Sequence, residues 1–183
     1  MFLCVRSLGF IRPFIDSSSK VRLCHTEVWT FNLRTSARED HDGKDGWKHR
    51  KQGVKRLLHM RRPAVVLAQE ARLDMINDLV GGGTDDFDDD EAPYLYVGEC
   101  RDGDGNGELC PVFYDSEILE HHGSGTIWLS ESPSEKGSLS WDAKCPRVAT
   151  WAWLRRRGKA DSPTMAFVST HFDHVGVEAR RQS

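Results

Sequence analysis

The chain has 183 residues, of which 38% are hydrophobic and 29% are charged, so it contains enough apolar material for one globular core. Lys and Arg total 25 against 28 Asp and Glu, and the net charge of -3 excludes a generally basic surface that would coat nucleic acid. No apolar run approaches the roughly 20 residues of a membrane-spanning helix, and five cysteines without a CxxC pair argue against a zinc knuckle or a disulfide framework.

Residues 1–26 differ in composition from the rest of the chain. They contain four Lys or Arg residues, Asp16 as the one acid, and three consecutive serines. This composition predicts a disordered N-terminal extension, and a mitochondrial targeting segment is the alternative. Residues 27–183 are predicted to form one domain, and a cytoplasmic location is expected where the extension does not target an organelle.

Apolar patterning predicts the secondary structure of the first half. β-Branched and aromatic residues predict a strand at 27–33, a polar loop follows at 34–46, and apolar residues at helical spacing predict a helix over 47–60. The short apolar run at 64–68 predicts a strand covered on both faces, and a second helix is predicted over 71–80. The order strand, helix, strand, helix indicates an α/β domain.

The second half is predicted to be a series of short strands, at 94–97, 112–114, 126–130, 147–154 and 164–170. The strand at 147–154 alternates between an aliphatic face and a face with two tryptophans, and we expect the tryptophan face to lie in the core. The acidic run at 85–91 lacks the ligand spacing of an EF-hand, so we interpret it as a solvated loop rather than a calcium site.

Several polar residues lie at or just beyond the ends of predicted strands, where α/β proteins place functional sites. Each has an ordinary structural explanation when it is taken alone, such as capping a turn or charging the first turn of a helix. They are Asn32, Glu70, Arg101, Glu108, His171, Asp173 and His174. The segment STHFDH also invites comparison with the HxHxDH motif of dinuclear zinc hydrolases, but Ser169 occupies the first histidine position, which disfavours that interpretation.

Six motifs taken together are more specific. TFNLR, LAQEA, YVGECRDGDGNGE with PVFY, GTIWLSESP, WDAKCPRVATW and FVSTHFDH resemble, in order and spacing, those of the endonuclease/exonuclease/phosphatase family of metal-dependent phosphoesterases. The resemblance runs from Val28 to the end of the chain. Within the family the chain is similar to the carbon catabolite repressor 4-type and nocturnin-type nucleases. The resemblance implies a four-layer α/β sandwich, in which two mixed β-sheets pack face to face with helices outside.

The resemblance also implies roles for the polar residues. Glu70 matches the family's Mg²⁺ ligand, with Mn²⁺ as a substitute, and Asn32 matches the asparagine beside that metal; hard oxygen ligands of this kind suit Mg²⁺. His171 matches the histidine that donates to a non-bridging phosphate oxygen, where negative charge develops. Asn32, Glu70 and His171 are therefore the expected catalytic residues. The residues expected to contact substrate or to position their neighbours are Arg101, Glu108, Asp173 and His174.

The family's later GDFN-like and SDH-like motifs do not occur in this sequence. We therefore expect the domain to be incomplete at its C-terminus, and the chain alone to be unstable or inactive. The predicted function of the complete domain is Mg²⁺-dependent hydrolysis of phosphate esters, specifically phosphodiester bonds, with a 3'-5' RNA exonuclease as one form. The alternative is a catalytically inactive truncated remnant or a binding module of the same family.

The expected partner is a phosphate-ester substrate, with nucleic acid as one candidate and no membrane. The basic residues between Lys48 and Arg56 would offer nucleic acid a local positive strip. The solvated face of a helix is the favoured interpretation of that strip.

Overall fold

A computed structural model describes residues 26–36, 43, 45–80 and 93–183. Residues 1–25 of the predicted extension and the acidic run at 85–91 lie outside the described residues. The elements are β1 (Val28–Asn32), α1 (Trp47–Arg61), β2 (Val65–Gln69), α2 (Leu73–Val80), β3 (Tyr94–Val97), β4 (Val112–Asp115), β5 (Leu119–Trp128), β6 (Val148–Arg156), β7 (Met165–Thr170) and α3 (Val177–Gln182).

The strands form two sheets. The first has the order β1-β2-β4-β3; β1 and β2 are parallel, and the other two pairs are antiparallel. The second has the order β5-β6-β7 and is antiparallel. The α/β sandwich is confirmed, but the second sheet is antiparallel over the described residues rather than mixed. Its consecutive strands pair with one another, and no crossover helix lies between them to make a pair parallel.

Two apolar layers hold the fold together. Between the sheets lie small and medium aliphatic side chains, each at most 1% exposed: Val65, Val112, Leu119, Ala152 and Leu154. On the other face of the first sheet, α1 and α2 pack a second cluster that includes Trp47, Val54, Leu58, Met75 and Ile76. The inter-sheet layer fixes the two sheets relative to one another, so side chains at their edges have defined positions.

The tryptophan face of β6 does not lie in the core, contrary to our expectation. Trp153 is 48% exposed and Trp151 is partly buried, whereas Ala152 and Leu154 point into the inter-sheet layer. Trp151 lies over Gly125 of the neighbouring strand, where an added Cβ would come within 2.9 Å of the indole. Alternation shows which residues share a face but not which face is inside, and small aliphatic residues fit the narrow space between packed sheets.

The structure also describes two features considered in the sequence, namely membrane-spanning helices and cysteines. Among the described residues, no helix has the length and apolarity needed to cross a bilayer. Cys100, Cys110 and Cys145 are free thiols, and the first two are buried.

Candidate functional site

Glu70 stands directly after β2 in an unusual backbone conformation. Its φ of +56° lies in the left-handed region, which costs a residue with a Cβ on the order of 1 kcal/mol. The next residue, Ala71, forms an isolated antiparallel bridge with Leu109, which anchors the chain immediately after the strained position. Residues in strained backbone conformations occur most often at functional sites. The backbone conformation of Glu70 therefore makes it a candidate functional residue.

Asn32 holds the Glu70 carboxylate. β1 and β2 are parallel with Asn32 opposite Gln69, so both strands end at the same edge of the sheet. The Asn32 Nδ2 donates to Glu70 Oε1 at 2.7 Å, and the backbone N–H of Thr35 donates to Oε2 at 3.1 Å. The Asn32 Oδ1 accepts from the Arg34 N–H at 2.8 Å. In this orientation the amide positions Glu70, and the role of Asn32 as a second metal ligand stays a prediction that requires the amide oxygen to turn inward.

The Glu70 carboxylate is suited to a divalent cation. Burial raises its pKa, but the hydrogen bonds from Asn32 and Thr35, with smaller contributions from the neighbouring His171 and Arg147 side chains, outweigh burial, so the pKa is lowered and the group is ionised at neutral pH. Over the described ranges, no cluster of three or more His, Cys, Asp or Glu side chains forms a metal cage. Mg²⁺ is commonly held by one or two carboxylates plus water and substrate phosphate, and Glu70 fits as a single ligand of that kind.

His171 faces Glu70 from the other sheet. It follows β7, which is tied to β2 by a hydrogen bond of 2.8 Å from Ser169 Oγ to the Ala68 carbonyl. The His171 Nδ1 lies 3.9 Å from Glu70 Oε1, and within the described part of the chain this buried atom has no hydrogen-bond partner. Burial and the charge of Arg147 lower the pKa of His171. A buried nitrogen without a partner, opposite an ionised carboxylate, is the expected feature of a site that binds a polar ligand.

Arg101 and Glu108 border the same small cavity. They belong to the loop between β3 and β4, and the Arg101 Nη1 donates to Glu108 Oε2 at 2.6 Å. The indole of Trp128 donates to the Arg101 carbonyl at 2.6 Å and anchors the loop to the second sheet. The cavity has a volume of about 10 Å³, room for about one water molecule, and Glu70, Arg101, Glu108 and His171 are among its lining residues. The fold therefore brings together residues from three segments that are far apart in the sequence.

Asp173 is placed to position its neighbours in the protein rather than to contact substrate. Its side chain is buried, and each carboxylate oxygen is already occupied. Oδ1 accepts the N–H groups of Val175 and Gly176 at 2.8 and 2.7 Å, while Oδ2 accepts from Lys144 N at 3.1 Å and Arg147 Nε at 3.3 Å. Asp173 therefore fixes the turn that follows His171 and holds Arg147.

Arg147 is a site residue that the sequence did not distinguish from scaffold. It is 7% exposed, lines the cavity with Glu70 and His171, and contacts His174 Nδ1 through Nη2 at 2.9 Å. His174 thus adjoins the site through Arg147 and is not among the described residues that line the cavity. One feature of the sequence could have indicated this role. Arg147 directly precedes a strand with a mostly aliphatic face, and a charged side chain that is buried beside such a face requires a charged or hydrogen-bonding partner.

Solved structures resemble this chain over 84–85% of its length. An endonuclease/exonuclease/phosphatase from Bacteroides vulgatus is 37% identical, with 85% of this chain and 55% of that chain covered and a TM-score of 0.73. A mannosyl-6-phosphatase from Bacteroides thetaiotaomicron is 28% identical, with 85% and 54% covered and a TM-score of 0.73. The human Nocturnin catalytic domain shares the fold at 15% identity, with 84% and 52% covered and a TM-score of 0.58.

The chain spans about half the length of these structures. No protein-family model matches it. No curated protein matches it either.

Proposed function

Because this chain belongs to the endonuclease/exonuclease/phosphatase family, we propose that it supplies the metal- and phosphate-binding residues of a phosphate-ester hydrolase. The observation that carries the proposal is the convergence of Glu70 and His171. These side chains come from different sheets, face one another at 3.9 Å, and share a cavity with two guanidinium groups. An acidic metal ligand beside donors for phosphate oxygens is the arrangement that phosphoester hydrolysis requires.

Glu70 is the residue that would hold Mg²⁺ or Mn²⁺. Hydrogen bonds from Asn32 and Thr35 keep its carboxylate oriented, so little side-chain freedom is lost when a cation binds. A bound divalent ion would neutralise charge on the phosphate oxygens. The role proposed for Asn32 is to keep the carboxylate ionised and aligned.

The remaining residues would bind the phosphate group. His171 is proposed to donate a hydrogen bond to a phosphate oxygen, because its Nδ1 is unsatisfied and its neighbour Glu70 is the metal ligand. Arg101 and Arg147 would contribute positive charge, since a guanidinium is a good geometric partner for phosphate. Glu108 would orient Arg101 through the hydrogen bond of 2.6 Å. His174 would contribute indirectly by contacting Arg147.

A phosphomonoester carried by a sugar is the substrate class that we favour. It is supported by the 28% identity to a mannosyl-6-phosphatase, which exceeds the 15% identity to Nocturnin. The phosphodiester prediction, including a 3'-5' RNA exonuclease, remains the second candidate, and its physical support is the basic composition of α1, which has no acidic residue. Binding of mannose 6-phosphate and of a short RNA to the chain in the presence of Mn²⁺ would decide between the two, because binding does not require the complete catalytic set.

Thermal unfolding with added ligands tests the proposed site in the chain itself. A ligand that binds only the folded state raises the Tm, and the rise grows with the logarithm of the ligand concentration above the Kd. We expect Mg²⁺ or Mn²⁺ to raise the Tm of the wild type but not of Glu70→Gln, and inorganic phosphate to add a further rise that His171→Asn reduces. Asp161→Asn, at an exposed carboxylate, is the control and should respond as the wild type does. Identical metal responses in the wild type and Glu70→Gln would contradict the proposal.

A further inference from the structure

A hydrogen bond joins the two sheets next to the candidate site. The Ser169 hydroxyl, on β7, donates to the Ala68 carbonyl, on β2, at 2.8 Å. Ser169 is 1% exposed and Ala68 is fully buried. Ser169 lies two residues before His171, and Ala68 lies two residues before Glu70. The bond therefore joins the two strands close to the point where each strand presents its site residue.

The Ala68 carbonyl is free for this bond because its neighbour in the sheet is a proline. The antiparallel register pairs Leu67 with Val112, and the Ala68 N–H donates to the Pro111 carbonyl at 3.0 Å. In such a pair of antiparallel strands, the second residue normally returns the bond through its own N–H group. Pro111 has no N–H group, so the buried Ala68 carbonyl needs another donor. Ser169 supplies that donor from the other sheet.

A second buried hydroxyl lies beside Ser169 but forms a different kind of contact. Thr150 stands opposite Ser169 on β6 and is fully buried. Its Oγ1 pairs with Thr126 Oγ1 at 3.2 Å, and Thr126 belongs to β5, so this hydrogen bond stays within the second sheet. Thr150 is therefore a matched control for Ser169, because both are buried hydroxyl groups at the same register position of neighbouring strands.

We propose that Ser169 is a positioning residue that sets the distance between Glu70 and His171. Asn32 and Thr35 orient the Glu70 carboxylate from the first sheet. His171 belongs to the second sheet, so its separation of 3.9 Å from Glu70 depends on how the sheets are joined. The inference rests on the proposed function, because a phosphate group must reach a metal on Glu70 and a donor on His171 at the same time. Sites of this kind require their groups to lie within about 0.5 Å of the productive geometry.

Binding of Mn²⁺ and of inorganic phosphate to the full chain, measured by titration calorimetry, tests the inference. Ser169→Ala removes the hydroxyl that joins the sheets, and Thr150→Val removes the control hydroxyl. Pro111→Ala restores an N–H group opposite the Ala68 carbonyl. The double variant Ser169→Ala with Pro111→Ala therefore satisfies this carbonyl without joining the sheets. Urea unfolding measures the stability of each variant.

We expect Ser169→Ala to change the Mn²⁺ affinity by less than about twofold, because the groups that orient Glu70 remain in place. Phosphate binding at saturating Mn²⁺ should weaken by about tenfold, the effect of losing one hydrogen bond to a charged group. Thr150→Val should lower the urea midpoint and leave both affinities unchanged. Pro111→Ala alone should bind phosphate as the wild type does, because a carbonyl can accept two hydrogen bonds. The double variant should recover part of the stability lost in Ser169→Ala, while its phosphate binding stays weak.

Three results would overturn the inference. Equal phosphate affinity in the wild type and Ser169→Ala would do so and would leave the proposed site intact. Recovery of phosphate affinity together with stability in the double variant would show that the serine only satisfies a buried carbonyl. Absence of phosphate binding by the wild type in the presence of Mn²⁺ would overturn the proposed function and the inference with it. If Ser169→Ala does not fold, the comparison of the double variant with Pro111→Ala carries the test.

Discussion

Replacement of Asp173 by Asn is a sharp test of how the site is built, because the change keeps the side-chain shape and removes only the charge. Asn can still accept the N–H groups of Val175 and Gly176 through its oxygen, as Oδ1 does in the wild type. Its NH₂ group, however, would face the donors Lys144 N and Arg147 Nε, which lie 3.1 and 3.3 Å from Oδ2. The substitution therefore loses two hydrogen bonds and leaves a buried guanidinium without its counter-ion.

The expected cost is about 3 kcal/mol of unfolding free energy at pH 7. Removing one partner of a buried ion pair costs about 3–5 kcal/mol, and the hydrogen bonds that Asn retains favour the lower end. Urea unfolding of the wild type, Asp173→Asn and the exposed control Asp161→Asn would measure it, and the control should change by less than about 0.5 kcal/mol.

The same variant predicts a pH dependence. Burial raises the pKa of Asp173, but the N–H groups of Gly176, Val175 and Lys144 together with Arg147 lower it well below its ordinary value. A carboxylate with a lowered pKa in the folded state stabilises the fold above its unfolded pKa of about 3.9, and that stabilisation is lost as the pH falls. The difference between wild type and Asp173→Asn should therefore shrink below about pH 4. A difference under 1 kcal/mol at pH 7, or one that does not change with pH, would refute the reasoning.

Three further substitutions follow from the structure. Asn32→Ala removes the amide that orients Glu70 and should weaken Mn²⁺ binding about tenfold or more, with little effect on the urea midpoint; equal Mn²⁺ affinity in titrations would argue against that role. Gly53→Ala lies inside α1 with nothing within 4 Å of the added Cβ, so it should stabilise the fold by about 0.5–1 kcal/mol in urea unfolding, and a loss of stability would contradict this. Gly125→Ala places a Cβ 2.9 Å from the Trp151 indole and should cost about 1 kcal/mol more than Gly123→Ala, whose nearest atom is 3.9 Å away; equal Tm values for the two would show that Trp151 moves freely.

The first half of the fold was predictable because its elements follow simple apolar periods. The strand expected at 64–68 is β2 at Val65–Gln69, and the helix expected over 47–60 is α1 at Trp47–Arg61. β5 was less predictable, since the structure extends it to Leu119–Trp128 whereas the sequence indicates only 126–130. The start of that strand contains two histidines and two glycines, which pattern and propensity do not assign to a strand. Pairing with β6 forms it instead.

The candidate site was predictable where a residue ends or directly follows a strand with a recognisable motif. Asn32 is the last residue of β1, Glu70 and His171 directly follow β2 and β7, and the fold places them at one edge. The role of Asp173 could not be predicted in this way. The sequence places a carboxylate two residues after a site histidine, but it does not show whether that carboxylate faces the ligand or the protein. Some of its donors come from Lys144 and Arg147, about 26–29 residues away, and only the tertiary structure reveals them.

Titration of Mn²⁺ into the chain, followed by the electron paramagnetic resonance signal of the free ion, tests the central claim most directly. If Glu70 holds the metal of a phosphoester-hydrolase site, the wild type should bind Mn²⁺ in a one-to-one complex, and Glu70→Gln should leave the ion free at the same concentrations. Circular dichroism of Glu70→Gln would establish that the variant is folded. Equal Mn²⁺ binding by the wild type and a folded Glu70→Gln would contradict the account.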